Sequence, residues 1–172
     1  GITVQNHSYG TGIENFYGAD AAAYDASAIT NPSLLHIFSV GNAGNLTSNA
    51  GPYNGVQGFA NTTGSFKMAK NIITVGHTDS FGTVLPLSSR GPAHDGRIKP
   101  ELVAFGEDGS SGAAALVSGT TALLQDAYMD MHGTLPASEL VKAVLLNSAD
   151  DFGPPGIDFL SGYGSVNAFK SL

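Results

Sequence analysis

Ser110 and Ser111 stand between Gly109 and Gly112, directly ahead of a run of small and apolar residues from Ala113 to Leu124. A hydroxyl placed there has two physical meanings. As an N-cap it accepts a hydrogen bond from one of the free N–H groups that open a helix. As a nucleophile it uses those same N–H groups, and the positive helix end, to hold an oxyanion. The flanking glycines leave the approach open in either case. The segment nearly matches G-x-S-x-G around Ser111, with Ala113 where the last Gly belongs. A second candidate lies in Ser39-Val40-Gly41-Asn42-Ala43-Gly44. An Asn directly after a buried parallel strand sits at the carboxyl edge of the sheet, where α/β proteins bind ligands. Its amide N–H₂ can meet developing negative charge. The same residue also suits a turn, because Asn tolerates left-handed backbone.

Positioning these groups requires a sheet and a buried helix. Ile2–Gln5, Leu34–Val40, Asn71–Gly76 and Glu101–Phe105 read as strands. Leu34–Val40 is nearly all apolar, as expected of a parallel strand covered on both faces. ADAAAYDASAI, between the first two strands, is helical by its Ala content and stops at Asn31-Pro32. Strand, helix, strand in that order suggests a βαβ crossover. Gly41 to Asn61 is a long Gly-, Asn- and Ser-rich loop, and loops of that length are usually functional. Two helices are expected near the C-terminus, from about Gly112 to Met131 and from Ala137 to Ser148. Ser138 provides a cap for the second, and Leu140, Val141, Val144 and Leu145 its apolar stripe. Gly, Ala and Ser on most faces of the first suit a helix pressed against neighbouring backbone.

Composition removes several classes. The 172 residues suffice for one domain with a proper core. The glycines show no three-residue period, which excludes a collagen-like chain. Net charge is −7, with seven Lys and Arg against fourteen Asp and Glu. Nucleic acid is therefore not an expected partner, because polyanion affinity comes from Lys and Arg. Without Cys there is neither a disulfide nor a thiolate metal site. No apolar run reaches about 18 residues, so no membrane span is expected. The N-terminus has no signal-peptide pattern and reads like the interior of a domain.

Taken together, the segments resemble one family, the subtilisin-like serine proteases or subtilases. Asn6-His7-Ser8-Tyr9-Gly10 is similar to the family's N-x-S-x-G substrate-binding strand, and SVGNAG to its oxyanion-Asn motif. NIITVGHTDS, followed by SSRGPAHDGRIKPELVAFG, follows a characteristic stretch of the family. GSSGAAALVSGTTALL resembles the segment around the nucleophile, and GYGSVNA the closing motif. The resemblance implies an α/β, subtilisin-like fold, with a mostly parallel central sheet flanked by helices. It implies Ser111 as nucleophile and Asn42 as side-chain donor of the oxyanion hole, with the Ser111 backbone N–H as second donor. It further implies Ser8, Tyr9 and Gly10 as a strand that pairs with an extended peptide, and Ser39, Val40 and Gly41 as a wall of the pocket before the scissile bond. The pocket floor falls within 51–66.

The chain departs from the family in one major respect. A subtilase needs Asp, His and Ser in that order. Neither the D-S/T-G nor the H-G-S/T-H motif occurs, and His7, His36, His77, His94 and His132 all stand in other contexts. Residues 1–172 are therefore expected to be the C-terminal portion of a peptidase domain, lacking its N-terminal strands. This portion carries the nucleophile and oxyanion hole but not the Asp and His, and is expected to be inactive alone. The alternative is an inactive, peptide-binding or interaction domain on the same scaffold. Gly112 stands where Met is usual and Ala115 where Pro is usual, and Glu107-Asp108 shorten the segment before Gly109. Asp108 near Ser111 would oppose an oxyanion and raise a neighbouring His. Peptides or proteins are the implied substrates. An exposed sheet edge beside Ile2–Gln5 is expected to bind the missing segment or a second chain. No cofactor is needed for the chemistry. Structural calcium is common in the family, but no ligand set is visible. An extracellular or cell-envelope location is implied by resemblance.

Overall fold

The computed structural model describes residues 2–151 and 155–172. Four strands, β1 (Val4–His7), β2 (Leu35–Ser39), β3 (Ile73–Thr78) and β4 (Leu102–Phe105), form one parallel sheet in the order β1-β2-β3-β4. Helix α1 (Ala19–Thr30) connects β1 to β2. Helices α2 (Ser110–His132), α3 (Ser138–Asn147) and α4 (Ala168–Ser171) follow β4.

Two-residue alternation sends the strand side chains to opposite faces. Leu35, Ile37, Ile73, Val75, Leu102 and Ala104 pack against Ala113, Ala114, Val117 and Leu124 of α2 and Val141 and Leu145 of α3. On the other face Phe38 packs with Ala21 of α1 and with Phe66, Met68, Ala69 and Ile72. The sheet is thus covered on both sides, as the apolar run through β2 requires. Helix α2 contacts all four strands. Its small residues permit that close approach, and it ends on Gly133, whose φ of 70° places it in the left-handed region and whose N–H donates to Met129 O.

The elements differ from the sequence reading mainly at their ends. β1 begins at Val4 rather than Ile2 and runs on to His7, because its parallel register continues to His7 opposite Phe38. β3 begins at Ile73 rather than Asn71, because the N–H groups of Lys70 and Asn71 donate to the buried Asp25 carboxylate instead of a ladder, at 2.8 and 2.7 Å. It extends to Thr78, opposite Phe105. α2 starts at Ser110, two residues before the expected Gly112. Ser138 does not cap α3. It is the first helical residue, Ala137 takes the N-cap position without a side-chain bond, and Ser138 N–H donates to Pro32 O at 2.6 Å. Most of 41–61 lies outside helices and strands, as expected, with one 3₁₀ turn at Gly51–Tyr53.

A buried ionic group ties β3 to β4. Glu101 accepts hydrogen bonds from Thr74 N–H at 2.6 Å, Thr74 Oγ1 at 2.7 Å and Lys99 Nζ at 2.6 Å. Lys142 of α3 lies 3.9 Å from the same carboxylate. Burial alone would raise the Glu101 carboxyl. The two lysines and the Thr74 bonds outweigh it and hold the group below the usual carboxylate range.

Candidate active site

The turn after β2 and the start of α2 meet at the carboxyl end of the sheet. Gly109 is the N-cap of α2 with φ 92°, and its side chain-free Cα lies close to Asn42: a Cβ there would stand 2.8 Å from Asn42 Nδ2. Ser110, buried, donates to Asn42 Oδ1 twice, from its backbone N at 3.0 Å and from Oγ at 2.9 Å. The Ser110 hydroxyl in turn accepts from Gly41 N–H at 3.2 Å. With Oδ1 engaged twice, the carboxamide is fixed in one orientation. Asn42 is exposed, and its Nδ2 has no acceptor among the described residues. Ser110 is the residue that sequence reasoning missed. The signal was the second hydroxyl in Gly109-Ser110-Ser111, whose two-bond reach to Asn42 becomes visible only when both loops are placed.

Ser111 follows in the first turn of α2 and is partly exposed. No hydrogen bond reaches its Oγ from the described residues, while its carbonyl accepts from Ser8 Oγ at 3.1 Å. Ser8, Tyr9 and Gly10 are exposed and continue from β1. Ser8 thus meets Ser111, and Asn42 meets Ser110, the residue before it. Ser39, Val40 and Gly41 are buried. Val40 spends both backbone groups internally, its N–H on Val75 O and its carbonyl on Thr63 N–H. Asn42 and Thr63 are the more exposed neighbours of these three residues.

Asp108 lies over the first turn of α2. A Cβ on Gly112 would stand 2.1 Å from Asp108 Oδ1, so a glycine at this position makes room for the carboxylate. The buried His77 on β3 has no partner at Nδ1 among the described residues. Burial lowers its pKa, and Asp108 pulls weakly the other way. The rise expected from Asp108 alone is therefore outweighed.

No His hydrogen-bonds to Ser111 among the described residues. His7 Nε2 and His36 Nδ1 lie 3.1 Å apart, Tyr9 Oη is 3.2 Å from His7 Nδ1, and Tyr9 and Tyr24 hydroxyls are 2.7 Å apart. The His7 ring stacks on Phe38 with 4.2 Å between centroids. Burial, then the neighbouring His36, lowers His7 to about 4. Both rings are thus neutral at pH 7 and hold the end of β1 against the aromatic side of the core. His94 lies near Asp95, and His132 packs on Tyr128. No group of three or more His, Asp or Glu capable of holding a metal occurs among the described residues. No helix among them is long and apolar enough to cross a membrane.

Solved structures share this fold. A mutant of the protease domain of PatA aligns with a TM-score of 0.76 at 22% identity, covering 99% of this chain and 58% of that one. A lanthipeptide protease aligns at 0.71 and 24% identity, covering 98% and 61%. The prenylagaramide maturation protease PagA aligns at 0.73 and 23%, covering 99% and 61%. The chain thus spans about three-fifths of the length of these structures. The family model for the subtilase peptidases matches residues 1–164. With that match, and with Asn42, Ser110 and Ser111 gathered where α2 meets the sheet, this chain belongs to the subtilase family.

Proposed function

We propose that the protein bearing this chain hydrolyses peptide bonds by acyl transfer, with Ser111 as nucleophile and with the Asp and His supplied by sequence outside these 172 residues. One observation carries the reading. Ser110, one residue from Ser111 and its N–H, holds Asn42 Oδ1 by two hydrogen bonds, so that Nδ2, next to Gly109 at the start of α2, is left without an acceptor among the described residues. In this mechanism Ser111 Oγ attacks the scissile carbonyl as its proton passes to the His, and Asn42 Nδ2 and the Ser111 N–H receive the oxyanion. The His returns the proton to the leaving amine, and water then releases the acyl group. The exposed Ser8-Tyr9-Gly10 segment holds the extended substrate by backbone pairing.

The test is active-site labelling of the full-length protein with a fluorophosphonate. Labelling at Ser111, lost in Ser111→Ala together with peptidase activity, is the expected result. A second reading, a peptide-binding domain without catalysis, is favoured by Asp108, whose carboxylate lies over the first turn of α2. It predicts no labelling and an upstream sequence without H-G-S/T-H.

A further inference from the structure

Between the substrate strand and the turn before Asn42 lies a hydroxyl backed by a buried amine. A Cβ on Gly10 would stand 2.5 Å from Thr63 Oγ1 and 3.2 Å from Lys67 Nζ, and one on Gly41 would stand 2.3 Å from Thr63 Oγ1. Thr63 therefore fills the slot that two glycines leave open. Its backbone N–H is fixed on Val40 O at 3.2 Å, and it bridges to Ile13. Lys67, one turn later in the 3₁₀ segment Ser65–Met68, folds back and donates from Nζ to Thr63 Oγ1 at 3.0 Å.

Lys67 is fully buried and makes no ion pair among the described residues. Glu14, which follows the substrate strand in the chain, instead accepts from Ser65 N–H at 2.8 Å. Buried ammonium groups are as a rule paired, because leaving the water without a counter-charge is costly. The chain's other fully buried lysine, Lys99, obeys that rule with Glu101. Lys67 has a hydroxyl and no anion. Burial accordingly lowers its pKa to about 7. A hydroxyl that already accepts from an amine directs its own proton elsewhere, and Thr63 is partly exposed.

We propose that Thr63 and Lys67 form an anion-accepting floor between Gly10 and Gly41, which selects aspartate or glutamate as the substrate residue preceding the scissile bond. The inference rests on the peptidase reading, in which these glycines flank the cleft. The carboxylate accepts from Thr63 Oγ1–H, and the Lys67 charge behind that hydroxyl strengthens the bond.

The test compares peptides that differ only at that residue, Asp, Asn, Glu or Leu, on the full-length protein. Asp and Asn match in size and differ in charge. The expected result is a kcat/KM for Asp at least about tenfold above Asn and Leu, the size of one charge-assisted bond. Lys67→Met and Thr63→Val should each bring Asp down to the Asn level. The wild-type ratio needs no variant to fold. Equal or faster cleavage after Asn or Leu by the wild-type protein overturns the proposal. If no peptide is cleaved and Ser111 does not label, the peptidase reading fails, and the same peptides are titrated as fluorescent ligands by anisotropy. Tighter binding of the Asp peptide than the Asn peptide then supports the anion floor, and equal binding or none overturns it.

Discussion

Asn42 Oδ1 accepts from both the N–H and the hydroxyl of Ser110, so the residue before the candidate nucleophile sets the direction of the candidate oxyanion donor. Removing the hydroxyl leaves the backbone bond and frees the carboxamide to rotate. Ser110→Ala should lower kcat by about tenfold with little change in KM, corresponding to roughly one hydrogen bond. Ser110→Thr, which keeps the hydroxyl, should restore most of it. Steady-state kinetics of the full-length protein decide, and a pure KM effect would assign Ser110 to substrate binding instead.

Replacing Asn42 itself should cost more. Asn42→Ala is expected to reduce kcat by about 10²–10³, the size of effect established for the corresponding carboxamide of subtilisin. Labelling of Ser111 should slow without being abolished, and urea unfolding should show a loss of about 1–3 kcal/mol, because the N–H and hydroxyl of buried Ser110 lose their acceptor.

Glu101 should matter for stability and not for chemistry. Glu101→Gln leaves buried Lys99 without its counter-charge, and a loss of about 3–5 kcal/mol is expected from breaking such a pair. Urea denaturation of the variant measures it.

Acid should destabilise the fold in two overlapping windows. His7 has a lowered pKa of about 4 against an ordinary 6.5, and burial lowers His36 as well. Below pH 6.5 the unfolded chain takes up protons that the folded rings refuse, so stability falls as pH drops toward 4. Glu101 is also held low, so its contribution is present above its ordinary value and is lost as pH falls through the folded one. Urea midpoints at pH 7 and pH 4.5 should differ, and His7→Phe should shrink the difference. A midpoint independent of pH would contradict the assignment.

β1 pairs only with β2 among the described residues, and it is an outer strand. Asn6 on this strand accepts from Ser118 of α2 at 3.3 Å, and Leu116 and Leu123 of the same helix are exposed at 41% and 58%. A bare strand edge beside exposed leucines favours association with another chain. The 172-residue polypeptide alone should therefore sediment as a dimer or larger species. A stable monomer at micromolar concentration would refute this.

The sheet was legible because the Leu34–Val40 segment is mostly apolar and β4 is Leu102-Val103-Ala104-Phe105, as suits parallel strands covered on both faces, while β3 sets Ile73 and Val75 between polar and small residues. Ser111 and Asn42 stood out as candidates by their glycine surroundings, and only the resemblance of the segments to subtilases gave them roles. What the sequence hid were partners distant in the chain. Asp25 shortens β3 by binding Lys70 and Asn71 N–H from 45 and 46 residues away. Ser110 reads as a generic helix-start hydroxyl until Asn42 is placed against it. Lys67 reads as an ordinary charged residue in a loop, and only its burial beneath Thr63 sets it apart.

A single helix, α2, lies against every strand of the sheet and carries Ser111 in its opening turn. The contacts at the tip of such a rod, from Ser8 and Asn42, come from the ends of strands that the rod itself covers. Peptide cutting and the core should therefore vanish at one temperature, and a partly melted molecule that still cleaves its substrate should not exist.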